Sequence, residues 1–193
     1  GDCFANGKGW QSNERNDIKI RGEKMSGTMK KRWIALYVEN VVGVLAKVSG
    51  LFSGKSYNLQ SLTVGTTEHV DISRMTISVE SDDITFEQIK KQLNSMVEVI
   101  KVMDLTNVPV HMKEVLFAKI KRIDAQGKEE AFRIAKIFEI QPVDIGEDCI
   151  LLESTLTERR NDELVALLRN SFKHIDVVRG GAVAVEGIST SCR

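Results

Sequence analysis

The chain has 193 residues, of which 42% are hydrophobic, and its 27 basic residues balance 27 acidic ones. This length and composition suffice for one or two small domains with packed cores. A formal net charge of zero argues against a nucleic-acid-binding protein, because contacts with phosphates require a surplus of lysine and arginine.

The amino-terminal segment, residues 1–29, mixes glycine, asparagine and charged residues without a helical or strand period. We predict a disordered or artefactual leader, with Met25 and Met29 as candidate natural starts. It lacks the apolar centre of a signal peptide, and no stretch of the chain approaches the roughly 18 apolar residues that cross a membrane. The three cysteines include no CxxC pair, so neither a disulfide framework nor a zinc site is expected. We therefore expect a cytoplasmic protein without membrane contact.

The next part of the chain changes period from strand to helix and back. Its first apolar residues alternate, as in a strand, and from Gly43 they recur with the period of an amphipathic helix. Thr85 and Gln88 have the spacing of a capping box at the start of a second helix, with Ile84 and Ile89 as the hydrophobic staple around it. The predicted elements are strands at 33–38, 59–64, 72–79 and 97–105, and helices at 43–54 and 85–96.

A second copy of this βαββαβ order is predicted after a linker at 106–114. Its elements are strands at 115–123, 142–145, 149–155 and 174–178, and helices at 128–138 and 161–172. Each copy has the size of one small domain. We therefore predict an α+β fold of two tandem ferredoxin-like domains, at residues 30–108 and 112–188.

The residues favour neither RNA recognition nor catalysis. The predicted third strand, DISRMTISVE, has no aromatic residue on which a base could stack. His69 and His111 fall in predicted loops and His174 at a predicted strand start, without a nucleophile turn motif, so we interpret all three as surface residues. Gly180 and Gly181 have the composition of a phosphate cradle, but a turn or bulge is the favoured interpretation.

The step from Asn40 to Gly43, between the first strand and the first helix, is the candidate binding site. A helix start leaves backbone N–H groups unpaired, and carboxylates and phosphates bind there. Gly43 has no side chain to block a ligand from that backbone. The alternative is that Asn40 only caps the helix and Gly43 only makes a tight turn. Val41 and Val42 favour a pocket or an interface, because a purely structural loop is usually polar.

Three segments together resemble one known family. RWIALYVENVVGVLAKVSGLFSGKSYNLQSLTVG, SRMTISVE and IKKQLNSMVEVIKVMDL are similar to the amino-terminal ACT domain of the small, regulatory subunit of acetohydroxyacid synthase, or acetolactate synthase. The resemblance covers about residues 30–188. It implies a non-catalytic subunit that binds a branched-chain amino acid, chiefly valine, and transmits feedback inhibition to a separate catalytic subunit. Thiamine diphosphate, magnesium and FAD are then expected on that catalytic subunit and no cofactor on this chain, whose carboxy-terminal domain is associated with activation.

The resemblance also implies which residues bind the effector. They are Asn40, Gly43 and the amides of Val44 and Leu45 in one chain, with Asn58 from the other chain of a homodimer. A zwitterion needs N–H donors for its carboxylate, carbonyl oxygens for its ammonium group and an apolar wall for its side chain, which Val41 or Val44 is expected to supply. The alternatives are a free-standing ACT amino-acid sensor that regulates another enzyme or a transcription factor and, third, an enzyme in its own right.

Overall fold

The structure is a computed structural model that describes residues 28–55 and 57–188. The described residues form eight strands and four helices. In chain order these are β1 (Lys30–Glu39), α1 (Val44–Gly54), β2 (Asn58–Thr66), β3 (Ile72–Ser81), α2 (Asp83–Asn94), β4 (Val99–Asp104), β5 (Val110–Lys121), α3 (Ala125–Phe138), β6 (Gln141–Ile145), β7 (Cys149–Leu156), α4 (Glu158–Ser171) and β8 (Ile175–Glu186).

Each half of the chain forms a four-stranded antiparallel sheet covered on one face by two helices. The strand order is β2-β3-β1-β4 in the first sheet and β6-β7-β5-β8 in the second. Alternate residues of β1, such as Ile34 and Leu36, share one buried cluster with Phe52 of α1 and Phe86 of α2. A second cluster joins β5 and β7 to α3 and α4 in the same way. The predicted α+β fold of two tandem ferredoxin-like units is therefore confirmed.

The start of α2 differs from the sequence prediction. Asp82 is the N-cap, and its carboxylate accepts a hydrogen bond of 2.7 Å from the backbone N–H of Thr85. The predicted capping box of Thr85 and Gln88 is wrong, because Thr85 already lies inside the helix. The predicted staple is wrong as well, since Ile84 is 56% exposed while Ile89 is buried. Helices α3 and α4 also begin about one turn earlier than predicted.

Strand β5 begins five residues earlier than predicted, and β8 ends eight residues later. These extensions, residues 110–114 and 182–186, form a two-stranded ribbon beyond the second sheet. The two strands pair from Val110 opposite Glu186 to Ile120 opposite Ile175, with a bulge at Gly180 and Gly181 opposite Val115. The favoured interpretation of this glycine pair as a turn or bulge is thus confirmed as a bulge, with a φ of 77° at Gly181. The prediction that His111 lies in a loop is wrong, because the ribbon includes it.

The ribbon packs on the face of the first sheet that the helices leave open. Ala35 of β1, Leu105 after β4 and Ala184 of β8 form a small buried cluster between the two units. The hydroxyl of Thr63 in β2 donates a hydrogen bond of 2.7 Å to the carbonyl of Ala182. The predicted linker therefore largely belongs to a strand, because its apolar residues cover the neighbouring sheet.

Two sequence predictions concern features that the structure describes only in part. The predicted leader lies outside the described residues except for its last two positions, and Cys3 and Cys192 lie outside them as well. Cys149, at the start of β7, is a half-buried free thiol. Within residues 28–55 and 57–188, no helix has both the length and the apolar composition to span a bilayer.

Candidate functional site

Asn40 joins the end of β1 to the turn between β2 and β3. Its backbone N–H donates a hydrogen bond of 2.7 Å to the carbonyl of Asp71, and its side-chain amide donates one of 2.9 Å to the carbonyl of Val70. The alternative prediction, that Asn40 caps α1, is wrong, because its side chain is engaged with this turn and not with the helix. Its side-chain oxygen accepts no hydrogen bond from a described residue, so the exposed Asn40 leaves a free acceptor at the start of the β1–α1 loop (residues 40–43).

Gly43 occupies the N-cap position of α1 in a left-handed conformation, with a φ of 91°. A β-carbon added there would have no atom within 4 Å, so the site is open, but any other residue would strain the backbone. The amide of Val44 makes only a long contact of 3.4 Å to the carbonyl of Val41. Among the described residues, nothing accepts a hydrogen bond from the amide of Leu45.

The start of α1 is the one helix start in the described part of the chain without a side-chain cap. Asp82 caps α2, Asp124 caps α3 through the amide of Gly127 at 2.8 Å, and Thr157 caps α4. No acidic residue lies in the first turn of α1. The positive end of the α1 dipole and its unpaired amides therefore face outward, which is the arrangement that binds a carboxylate.

The side chains around the loop supply an apolar surface. Val41, Val42, Leu45 and Val70 are all exposed, although they are large apolar residues. Val44 is different, because its side chain is only 3% exposed and packs in the core below α1. The prediction that Val44 lines the ligand's side chain is therefore wrong, and only its amide faces the loop.

Asn58 does not meet Asn40 within one chain. It lies at the start of β2, opposite Glu80 of β3, which in turn pairs with Lys31 at the start of β1. Asn40 follows the other end of β1, roughly 30 Å away at about 3.3 Å per strand residue. A site that uses both asparagines therefore requires a second chain.

An ion pair fixes α1 against the start of β4. Lys47 of α1 bonds to the carboxylate of Glu98, and the carbonyl of Glu98 accepts a hydrogen bond of 2.9 Å from the amide of Glu39. The hydrogen bond from Lys47 lowers the pKa of Glu98 below its usual value. Lys47 of the α1 helix is thus neutralised, so helix amides remain the donors for a carboxylate.

Two cavities lie elsewhere in the described residues. The larger, of about 660 Å³, surrounds the start of α3 and is lined by Arg122, Lys173 and His174 among others. The carboxylate of Asp124 already bonds to the amide of Gly127 at that helix start, and its negative charge disfavours an anion there. No group of three or more metal-binding side chains occurs within residues 28–55 and 57–188.

Sequence reasoning missed the turn that holds Asn40. Val70 and Asp71 position its side chain and backbone. Further along the same two strands, Tyr37 of β1 pairs directly with Arg74 of β3. Strand pairing was the available signal, because an antiparallel β1–β3 pair brings the end of β1 to the start of β3. The individual hydrogen bonds were not predictable from spacing alone.

Comparison with known families gives two matches that together span most of the chain. Residues 34–101 match a family described as AHAS small subunit-like ACT domain. Residues 113–188 match a family described as small subunit of acetolactate synthase.

The individual proteins that the chain resembles are also acetolactate synthase small subunits. The chain is 37% identical to the acetolactate synthase small subunit of Aquifex aeolicus, over 84% of either protein. It is 34% identical to the acetolactate synthase isozyme 3 small subunit of Escherichia coli, over 80% of this chain and 94% of that protein. Among solved structures, the acetolactate synthase small subunit of Thermotoga maritima is similar with a TM-score of 0.76 and 30% identity, over 83% of this chain and 99% of that one.

Proposed function

Because the chain belongs to the acetolactate synthase small-subunit family, a family of regulatory subunits, we propose that it binds a branched-chain amino acid at the β1–α1 loop. Binding there imposes feedback inhibition on a separate catalytic subunit. The observation that supports this proposal best is the start of α1, whose amides are uncapped and face an apolar, exposed loop.

Each part of a valine zwitterion has a counterpart in the loop. The amide of Leu45, together with the weakly bonded amide of Val44, offers donors to the carboxylate. The side-chain oxygen of Asn40 offers an acceptor to the ammonium group. Val41 and Val42 offer the branched side chain an apolar wall. Valine is the proposed effector, with isoleucine and leucine as alternatives of the same chemistry.

A homodimer completes this site. Strand β2 is an edge strand whose outer side is unpaired among the described residues. A two-fold axis can pair β2 antiparallel with β2 of a second chain. It then places the start of β2 in the second chain beside the end of β2 in the first. That end, at Thr66 opposite Ser73, is also the end of the sheet from which Asn40 projects. The partner chain's Asn58 thus becomes the second asparagine of the site.

The regulated enzyme is a separate acetolactate synthase catalytic subunit in the cytoplasm. We assign thiamine diphosphate, magnesium and FAD to that subunit and no cofactor to this chain. Within this chain, residues 30–108 bind the effector and residues 112–188 stimulate the catalytic subunit. The capped starts of α3 and α4 support this division, because Asp124 and Thr157 already accept from first-turn amides in the second unit.

Calorimetric titration of the full chain with valine tests the proposal. The parent protein should bind valine, and Asn40→Ala should bind it at least about tenfold more weakly, because it removes an acceptor for a charged group. Asn170→Ala is the matched control, since it makes the same change at an exposed position of α4. An absence of binding heat from valine, isoleucine and leucine alike would refute the proposal.

A further inference from the structure

Arg74 of β3 bonds to both units of the chain at once. Its guanidinium donates to the hydroxyl of Tyr37 and lies over the Tyr37 ring at 5.0 Å from the ring centre. Its other terminal nitrogen donates a hydrogen bond of 2.8 Å to the carbonyl of Ala184 and lies 3.8 Å from the carboxylate of Glu186. Both of these acceptors belong to β8. Arg74 therefore ties the first sheet to the ribbon of the second unit.

The same arginine lies next to the anchor of the β1–α1 loop. Tyr37 and Arg74 are direct register partners, three residues inside the hydrogen bonds of Asn40 to Val70 and Asp71. Movement of Asn40 relative to Val70 and Asp71 displaces β1 and β3, the two strands that carry Tyr37 and Arg74. The loop and the ribbon are thus joined by a continuous set of hydrogen bonds.

An open pocket borders the contact between the ribbon and the sheet at this point. It has a volume of about 380 Å³, lies beside Arg74 and is lined by Tyr37, Thr63, Val183 and Val185. Because Val183 and Val185 are exposed there, the ribbon has room to move against the sheet. The Nε atom of Arg74 is buried without a partner among the described residues, and Nη1 bonds to Tyr37 within the first sheet, so Nη2 alone bonds to the ribbon.

We propose that Arg74 is a coupling residue, which transmits effector occupancy of the β1–α1 loop to the β5–β8 ribbon and so to the carboxy-terminal unit. This inference rests on the proposed function, because it requires an effector at the loop. Arg74 does not contact the effector. Its loss therefore separates effector binding from inhibition, which a residue with a merely structural role would not do.

The test uses Arg74→Met, which keeps an unbranched apolar side chain but removes the donors. Valine affinity is measured by calorimetry on the full chain, and inhibition is measured with the catalytic subunit across a valine titration. We expect the affinity to stay within about threefold of the parent, while the valine concentration for half-inhibition rises at least about tenfold. Stimulation of the catalytic subunit without valine should persist.

Glu158→Gln is the matched control. It removes the ion pair between Glu158 and Lys31, which also joins the two units but lies at the other end of β1. Affinity and inhibition should both stay at the parent values. If instead this variant is as insensitive to valine as Arg74→Met, general loosening of the two units explains the effect and the coupling role of Arg74 is refuted.

A second variant covers the case in which Arg74→Met loses the fold or valine binding. Tyr37→Phe keeps the ring under the guanidinium and removes only the hydroxyl that accepts its hydrogen bond. It should weaken inhibition in the same direction with valine affinity retained. If either variant binds valine like the parent and is inhibited like the parent, Arg74 does not couple the two units. Failure of the parent itself to bind valine would refute the proposed function instead.

Discussion

Replacement of Gly43 by aspartate should strongly weaken effector binding at a small cost in stability. A residue other than glycine at a φ of 91° costs about 1–2 kcal/mol. A carboxylate at a helix start stabilises the folded protein by about 0.3–1 kcal/mol through the helix dipole. No atom lies within 4 Å of the added β-carbon, so steric conflict contributes nothing further. The net loss of roughly 1 kcal/mol lowers the melting temperature by about 2–4 °C and leaves the protein folded.

The effect on valine should be much larger than the effect on the fold. A carboxylate at the N-cap accepts a hydrogen bond from the second or third helical amide, here that of Leu45 or Ala46, and its negative charge then occupies the place of the carboxylate of valine. Loss of one hydrogen bond to a charged group, about 1.5–3 kcal/mol, weakens binding roughly 10- to 150-fold. Like-charge repulsion adds to this loss.

Gly43→Ala is the control, because it has the same backbone strain without the carboxylate. Calorimetry and thermal melting of both full-length variants decide between strain and charge. We expect Gly43→Ala to melt slightly below Gly43→Asp, because it lacks the dipole gain, but to retain the valine binding that Gly43→Asp loses. If Gly43→Asp binds valine as tightly as the parent, the start of α1 is not the carboxylate site.

Three further predictions concern the dimer, the partner chain's asparagine and a buried carboxylate. Sedimentation at micromolar concentration should show a dimer, and a monomer in the presence of valine would contradict the proposed β2 pairing. Asn58→Ala should lower valine affinity by about 5- to 150-fold in calorimetry, since it removes one hydrogen bond to a charged group, and an unchanged affinity would exclude Asn58 from the site. Burial raises the pKa of Glu114, but hydrogen bonds from Arg179 and Asn161 outweigh it and hold that pKa below its usual 4.5. Because the folded pKa is the lower one, this stabilisation is present above pH 4.5 and is lost as the pH falls through the folded pKa. Glu114→Gln should therefore melt below the parent near neutral pH, and the gap should close in acid; a constant gap would contradict this assignment.

The order of helices and strands was predictable from sequence because each element buries one face at its own period. Ile34 and Leu36 alternate in β1, while Val48 and Phe52 of α1 follow the helical spacing, and all four share one core. The residue at which α2 starts was not predictable in this way. Asp82 and Thr85 are both good caps, and the choice depends on which backbone amide each side chain reaches.

The ribbon could not be predicted from local pattern, because its stability comes from another part of the chain. Ala184 is buried against Ala35 and Leu105, which are distant in sequence. The β-bulge at Gly180 and Gly181 lets β8 continue where a glycine pair more often ends a strand. A division of the chain at residues 108–112 would expose this shared core, so the units are best tested in the full chain.

The residues of the candidate site were proposed from the sequence, but their geometry was not predictable from it. The Asn40–Gly43 step signals an unusual helix start, and the resemblance to a known family supplied the ligand class. The left-handed backbone of Gly43 and the engagement of Asn40 with Val70 depend on the β1–β3 register. The burial of Val44 depends on how α1 packs, which the loop sequence does not determine.

Mixing of two defective chains tests the shared effector site most directly. Asn40→Ala and Asn58→Ala each damage both sites of a homodimer, but a mixed dimer has one site with both changes and one site with both asparagines intact. After exchange of equal amounts, about half of the dimers should be mixed, so about a quarter of all sites should bind valine with the parent affinity. Native mass spectrometry establishes that mixed dimers form, and calorimetry counts the restored sites. No recovery of tight binding in a sample that contains mixed dimers would contradict a site built from Asn40 of one chain and Asn58 of the other.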